Sequence, residues 1–397
     1  MIYLDHASTT PTDPRVIKCM TPFFNSNFGN PSSLYKIGRE AARTVSQSRT
    51  SISKILNCAP EELIFTAGGT ESDNLAIFGV ANSFIENAKD YHLITSSIEH
   101  SAVLETFKVL EKKGFQVTYL PVDKFGLINP DDLSKALRPN TILVSIMYAN
   151  NEIGTIQNIA EFSKIIKNYR RIQQVDKSDN PIYPIFHTDA CQAAGYLNLD
   201  TDKLGVDLLT INGSKIYGPK QIGALYKRKA IKLEPIFYGG DQEAGLRPGT
   251  ENVSAIIGFA EALKLVDSNR TKESKRLEKL RDFFIMELLK LPETILNGHP
   301  IERLPNNINV TFRRIEGESI MLKLDREGIY VSTGSACHSV SLEPSHVILA
   351  IGQEAGDAHG SMRFTMGKST TKAHLGKVLK ILPSIIEDLR KLTAVNR

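Results

Sequence analysis

Short apolar runs rich in β-branched residues recur between residues 60 and 230, separated for the most part by longer amphipathic stretches. The runs are ELIFT at 62, HLITS at 92, QVTYLPV at 116, TILVSIMYA at 141, IFHTDA at 185, LLTIN at 208 and IGALYK at 222. Between them, segments 71–85, 100–113 and 158–170 carry helical periodicity. Strands and helices in alternation predict a mainly parallel sheet with helices packed over it.

Upstream, Ile37, Ala41, Val45, Ile52, Ile55 and Leu56 recur near helical spacing and predict a long helix over 36–57, available to cover the sheet. Downstream the texture changes. Residues 251–291 read as one or two long helices, charged from Asn269 to Arg281, that bridge to another domain. There, strands INVTF at 308 and MRFTM at 362 and helices near 317–327 and 371–392 predict an α+β module. Two segments lack periodicity. RIQQVDKSDNPIYP at 171–184 reads as an inserted surface loop, and STGSACHSVSLEPS at 332–345 has the Ser, Gly and Pro content of turns. The division expected is a large α/β domain over 14–260 and a small α+β domain built from 1–13 and 261–397.

Composition narrows the functional classes. At 397 residues, 41% hydrophobic and 23% charged, the chain is globular rather than disordered, with room for roughly two or three domains. A net charge of +4 against 48 basic and 44 acidic residues, with no block of one sign, implies no nucleic-acid partner. The N-terminus MIYLDHASTT has neither a basic leader nor a long apolar run, so a cytoplasmic protein without a membrane partner is expected. Cys19, Cys58, Cys191 and Cys337 are scattered without a CxxC pair, which disfavours a metal site and a disulfide framework. The first three read as small buried hydrophobes.

Four places can carry chemistry. In TAGGTESDN a strand runs through Gly68 and Gly69 into a helix, and amides at such a turn, with the Thr70 hydroxyl, can hold a phosphate. Thr70 with Asp73 three residues on also reads as a plain capping box. In HTDACQ, Asp189 ends an apolar strand with Gln192 one turn beyond, where open α/β sheets bind ligands and where a carboxylate can keep a pyridine nitrogen protonated. In LLTINGSKIYGPK, Lys215 follows a strand in a Gly/Ser turn, as a Schiff-base lysine requires; Lys220 competes, and spacing does not choose between them. Finally, Cys337 sits on a polar loop where an accessible thiol can act as a nucleophile. His100 opens a helix and can stack on a ring or move protons. Arg363 lies inside an apolar strand and implies a carboxylate partner, from a ligand or from the protein itself.

In chain order these segments resemble the NifS/IscS-type cysteine desulfurases, within the class-V aminotransferases and the fold-type I pyridoxal-phosphate enzymes. The resemblance rests on YLDHASTTP, FGNPSSLY, FTAGGTESDNLAI, EHSAV, NNEIGTIQ, HTDACQ, GSKIYGPK, RPGTENV, GSAC, LEPS and MRFTMGKSTT and covers nearly the whole chain. It implies pyridoxal 5'-phosphate on Lys215, Asp189 at the pyridine nitrogen, His100 over the ring, and Gln192 and Asn151 at the ring oxygen. Gly69, Thr70 and Ser214 would surround the phosphate, joined by Thr250 of the neighbouring subunit in a homodimer, and Asn212 would also contact the cofactor. Arg363 and Asn151 would hold the carboxylate of L-cysteine, and Cys337 would take its sulfur as a persulfide for a sulfur-acceptor protein. The family commonly reads Ser-x-His-Lys where this chain reads Asn212, Gly213, Ser214, Lys215, and has Gly at Gln221 and His at Tyr35. A selenocysteine lyase-like enzyme and a non-catalytic dimeric scaffold are the alternatives. The acceptor is left open among iron–sulfur cluster assembly, tRNA thiolation and sulfur modification of DNA.

Overall fold

The computed structural model describes residues 1–173, 183–333 and 344–395. The segments that hold most of the predicted surface insertion and the predicted Cys337 loop, 174–182 and 334–343, lie outside them. A short strand β1 (Ile2–Tyr3) comes first. The large sheet follows, built from β2 (Leu63–Thr66), β3 (His92–Ser96), β4 (Gln116–Leu120), β5 (Thr141–Ser145), β6 (Ile185–Asp189), β7 (Leu208–Asn212) and β8 (Gly223–Lys227). Its order is β2-β8-β7-β6-β5-β3-β4, and β8 alone runs antiparallel to its neighbours.

Apart from the half-exposed edge strand β4, these strands are buried along nearly their whole length because both faces are covered. Phe65, Ile94, Val144, Phe186 and Leu209 enter one cluster, with Ile52 and Leu56 of the helix Lys36–Leu56 and Phe259 and Leu263 of the helix Val253–Leu288. Their strand neighbours Ile64, Leu93, Leu143, Ile185 and Leu208 enter another, against Leu75 and Val80 of the helix Gly69–Ala81 and Phe107 of the helix Ser101–Lys112. Alternation of side chains across a strand produces this division.

A second sheet contains β9 (Thr294–Leu296), β10 (Asn307–Phe312), β12 (Ser332–Thr333) and β13 (Ser361–Thr365) in the antiparallel order β12-β13-β10-β9, while β11 (Ile329–Tyr330) pairs with β1. Its core holds Ile308, Val310, Phe312 and Phe364. The stretch predicted as one or two helices forms a single helix, Val253–Leu288. Its first half packs on the large sheet, and Leu277, Phe284 and Leu288 of its second half pack with the small one. Among the described residues no helix is long and apolar enough to cross a membrane.

Candidate active site

The carboxyl ends of the parallel strands open onto a cavity of about 1210 Å³. A glycine turn follows β2. Gly68, at φ 151°, caps the helix Gly69–Ala81 without any side-chain cap bond, so the capping box open to Thr70 and Asp73 does not form. The turn is tied from outside instead. Glu71 accepts from the amide of Ala67 at 3.0 Å and from Arg247 Nε at 3.0 Å, which brings the RPGT segment to it. Thr70 thereby faces the cavity, while Asp73 is buried at its floor.

Glycine is required at the turn by close approach. A Cβ on Gly69 would lie 2.8 Å from Cys191 Sγ and 3.2 Å from Asn212 Nδ2. Space above Gly68 is open, with no heavy atom within 4 Å of the position its Cβ would take. Asn212 at the end of β7 has a buried Oδ1 without a hydrogen-bond partner among the described residues. The backbone amides of the turn, with the Asn212 Nδ2 donor beside Gly69, fit the oxygens of a phosphate. Cys191, read as a small buried hydrophobe, is buried but forms part of this wall; Cys19 and Cys58 are only half-buried.

Asp189 ends β6, and its Oδ1 accepts from the Cys191 amide at 2.8 Å. Below it lies a set of buried ionisable groups, of which the sequence reading named only Asp73, as part of a helix cap. Burial, then the nearby Asp189 carboxyl, pushes Asp73 well above the ordinary carboxyl range. Burial likewise raises Glu99 to about 8 and lowers His187 to about 3. At neutral pH Glu99 therefore keeps its proton and His187 is uncharged.

His100 is the N-cap of its helix, with Nδ1 accepting from the amide of Ala102 at 3.1 Å. That bond places the proton of a neutral imidazole on Nε2. Lys215 lines the cavity and its Nζ donates to the carbonyl of Ser8. Lys220 reaches the same cavity from an exposed position. Gln192 donates to the carbonyl of Ala7 at 3.0 Å. The N-terminal segment thus lies across the site, and Thr10 fastens it by accepting from the amide of Tyr217 at 2.7 Å and donating to the carbonyl of Ser214 at 2.9 Å.

Arg363 comes from β13 with its side chain almost fully buried. Nη2 donates to Asp5 Oδ1 at 2.9 Å and to Ser8 Oγ at 2.7 Å, and Nη1 donates to the carbonyl of Asn151 at 3.0 Å. Ser8 therefore touches both Lys215 and Arg363. Nearby, Glu152 Oε2 accepts from Ser345 Oγ at 2.5 Å, and Ser345 caps the helix His346–Ala350. Through this bond the LEPS segment is joined to NNEIG.

Among the described residues, all the candidate site residues named from the sequence line this cavity except Thr250. Thr250 is exposed and outside the cavity wall. Cys337 lies outside the described residues, but its flanks bracket the site. Ser332 pairs with Arg363 across β12 and β13, and Ser345 is bonded to Glu152.

A doubly wound sheet that gathers a phosphate cradle, an acid and a lysine at its strand ends belongs with the fold-type I pyridoxal-phosphate enzymes. Comparison with known proteins narrows this further. The model of the class-V aminotransferases matches residues 2–378. The chain is 52% identical over 393 residues to the cysteine desulfurase IscS of Dictyoglomus turgidum, covering 99% of this chain and 96% of that one. It is 48% identical over 392 residues to the IscS of Methanosarcina thermophila, covering 99% and 93%. Among solved structures, a NifS-like protein superposes with TM-score 0.89 at 35% identity, covering 98% of this chain and all of that one. SspA in complex with cysteine gives TM-score 0.80 at 35% identity, covering 92% and 99%. The chain belongs to the class-V aminotransferase family, in its cysteine desulfurase branch, and is a pyridoxal-phosphate-dependent enzyme of sulfur transfer.

Proposed function

We propose that the residues around this cavity divide the desulfurase reaction among them as follows. Lys215 would hold pyridoxal phosphate covalently, with Asp189 for its pyridine nitrogen. His100 would serve its ring, Gln192 and Asn151 its ring oxygen, and Gly69, Thr70, Asn212 and Ser214 its phosphate. Asn212 and Ser214 stand where the family commonly has Ser and His, and the Asn212 Nδ2 donor beside Gly69 supports a polar contact there. When bound, the cofactor supplies an electron sink for the pair left behind as the α-proton departs.

Arg363 and Asn151 receive the carboxylate of L-cysteine, and Lys215 moves the α-proton. Cys337 as thiolate attacks the substrate sulfur. A bond forms between the two sulfurs, the carbon–sulfur bond breaks, and protonation of the carbon gives alanine while Cys337 keeps a persulfide. A sulfur-acceptor protein takes the persulfide sulfur. Thr250, exposed beyond the cavity, serves the phosphate of a partner subunit in a homodimer, and the setting is the cytoplasm.

The observation that carries this reading is the meeting of Lys215 and Arg363 at Ser8, opposite Asp189 in one cavity. Amine, carboxylate and cofactor functions are thereby within reach of one small amino acid. The test is Cys337→Ser. The variant should keep the absorbance of bound cofactor and lose alanine formation from cysteine; sulfide release at the full rate would overturn the assignment of the nucleophile.

A further inference from the structure

Arg363 is held by a carboxylate that does not belong to the cavity. Asp5 is absent from the cavity wall, yet its Oδ1 accepts from Nη2 at 2.9 Å, while Ser8, which does line the cavity, accepts from the same nitrogen at 2.7 Å. The position of Asp5 is set by backbone rather than by the ion pair. Asp5 bridges Thr365 in parallel, Thr365 donates to the carbonyl of Leu4 at 2.7 Å, and the amide of His6 donates to the carbonyl of Thr365 at 3.2 Å. Tyr3 adds a pin, its hydroxyl bonding the carbonyls of Asp5 at 3.0 Å and Thr9 at 2.9 Å. Arg363 and Thr365 share a face of β13, since alternate residues of a strand do, so a residue bridged to Thr365 is a diagonal neighbour of Arg363.

We infer that Asp5 is a positioning residue for substrate recognition, fixing the Arg363 guanidinium from behind so that it presents to the cavity for the carboxylate of an α-amino acid. The inference rests on the reading of Arg363 as the carboxylate receptor. Asp5 balances the charge of an arginine whose side chain is 4% exposed, and a buried guanidinium without such a partner is costly. It also limits the rotamers open to a long side chain, which is how a fixed fork gains selectivity. The five donors of a guanidinium suffice for both partners. Asp5, Ser8 and Asn151 use three of them, and Nε has no partner among the described residues.

The experiment titrates cofactor-loaded protein with L-alanine and with ethylamine, which is alanine without its carboxylate, and reads binding from the cofactor absorbance. Wild type, Asp5→Asn, Asp5→Glu and Arg363→Gln are compared. Asp5→Asn should weaken alanine about tenfold, the scale of one charge-assisted hydrogen bond, and leave ethylamine unchanged. KM for cysteine should rise with kcat retained, and Asp5→Glu should restore much of the alanine affinity. If Asp5→Asn weakens both ligands equally, or neither, while Arg363→Gln weakens alanine alone, the inference about Asp5 is overturned and the reading of Arg363 stands. If Arg363→Gln leaves alanine binding intact, the reading of Arg363 fails first. Should Asp5→Asn not fold, Asp5→Glu decides: loss of preference for alanine over ethylamine in a variant that keeps the charge would refute the positioning role.

Discussion

Glu152 offers a perturbation whose size can be worked out. Its carboxyl is buried beside Arg363 and bonded to Ser345. Burial raises it from 4.5 to about 7, against the opposing pull of the Ser345 hydrogen bond and the Arg363 charge. The folded state therefore binds this proton more tightly than the unfolded chain does. Its contribution to stability is fully present below pH 4.5 and is lost as pH rises through about 7. A displacement of that size corresponds to about 3 kcal/mol between the two protonation states. Integrated from pH 5 to pH 8, roughly 2 to 3 kcal/mol is lost. Glu152→Gln cannot titrate and should not show this loss. With an unfolding entropy of about 2 cal/mol/K per residue, the melting temperature of wild type relative to Glu152→Gln should fall by about 3 °C across that range. Thermal melts of both proteins at a series of pH values measure it. A difference in Tm that stays constant from pH 5 to pH 8 would contradict the burial argument.

The glycine turn gives a second expectation. Gly69→Ala must displace Cys191 Sγ or Asn212, so cofactor should be lost on dialysis faster than from wild type, and adding Cys191→Ala should recover part of the retention, read from visible absorbance. Lys215→Ala should abolish the absorbance of covalently held cofactor while Lys220→Ala keeps it; the reverse would exchange their roles. Glu243 is buried, pairs with Arg49 and accepts from the amide of Phe65 at 2.8 Å. Its replacement by Ala leaves Arg49 its bond to the carbonyl of Leu63 but no carboxylate, and leaves the amide unpaired; it should cost about 3 kcal/mol in urea unfolding, whereas a cost near zero would mark the pair as dispensable.

The large sheet was legible because its strands bury both faces. Runs such as LLTIN and HLITS carry no polar alternation to disguise them, and turn residues separate them from amphipathic helices. Less legible was β8, whose sequence does not announce that it runs antiparallel between β2 and β7. At the site, residues on strand ends and glycine turns stood out because position and chemistry coincide there. Thr70 with Asp73 shows the limit. The same four residues spell a capping box, and only the cavity under Gly68 and the ties of Glu71 to Ala67 and Arg247 show why the helix starts without one. Asp5, Glu99, Glu152 and His187 left no local signal. Each depends on partners far along the chain, as Glu152 does on Ser345 and Asp5 on Arg363, and a polar residue in an apolar run does not say which neighbour will bury it.

The most direct measurement gives purified protein L-cysteine without reductant, then weighs its tryptic peptides while alanine is assayed. One added sulfur on the peptide that contains Cys337, with alanine formed in matching amount, is the result expected of a thiol that takes sulfur from substrate held by Lys215 and Arg363. Alanine formed without sulfur on any cysteine peptide, or sulfur on Cys191 in place of Cys337, would contradict it.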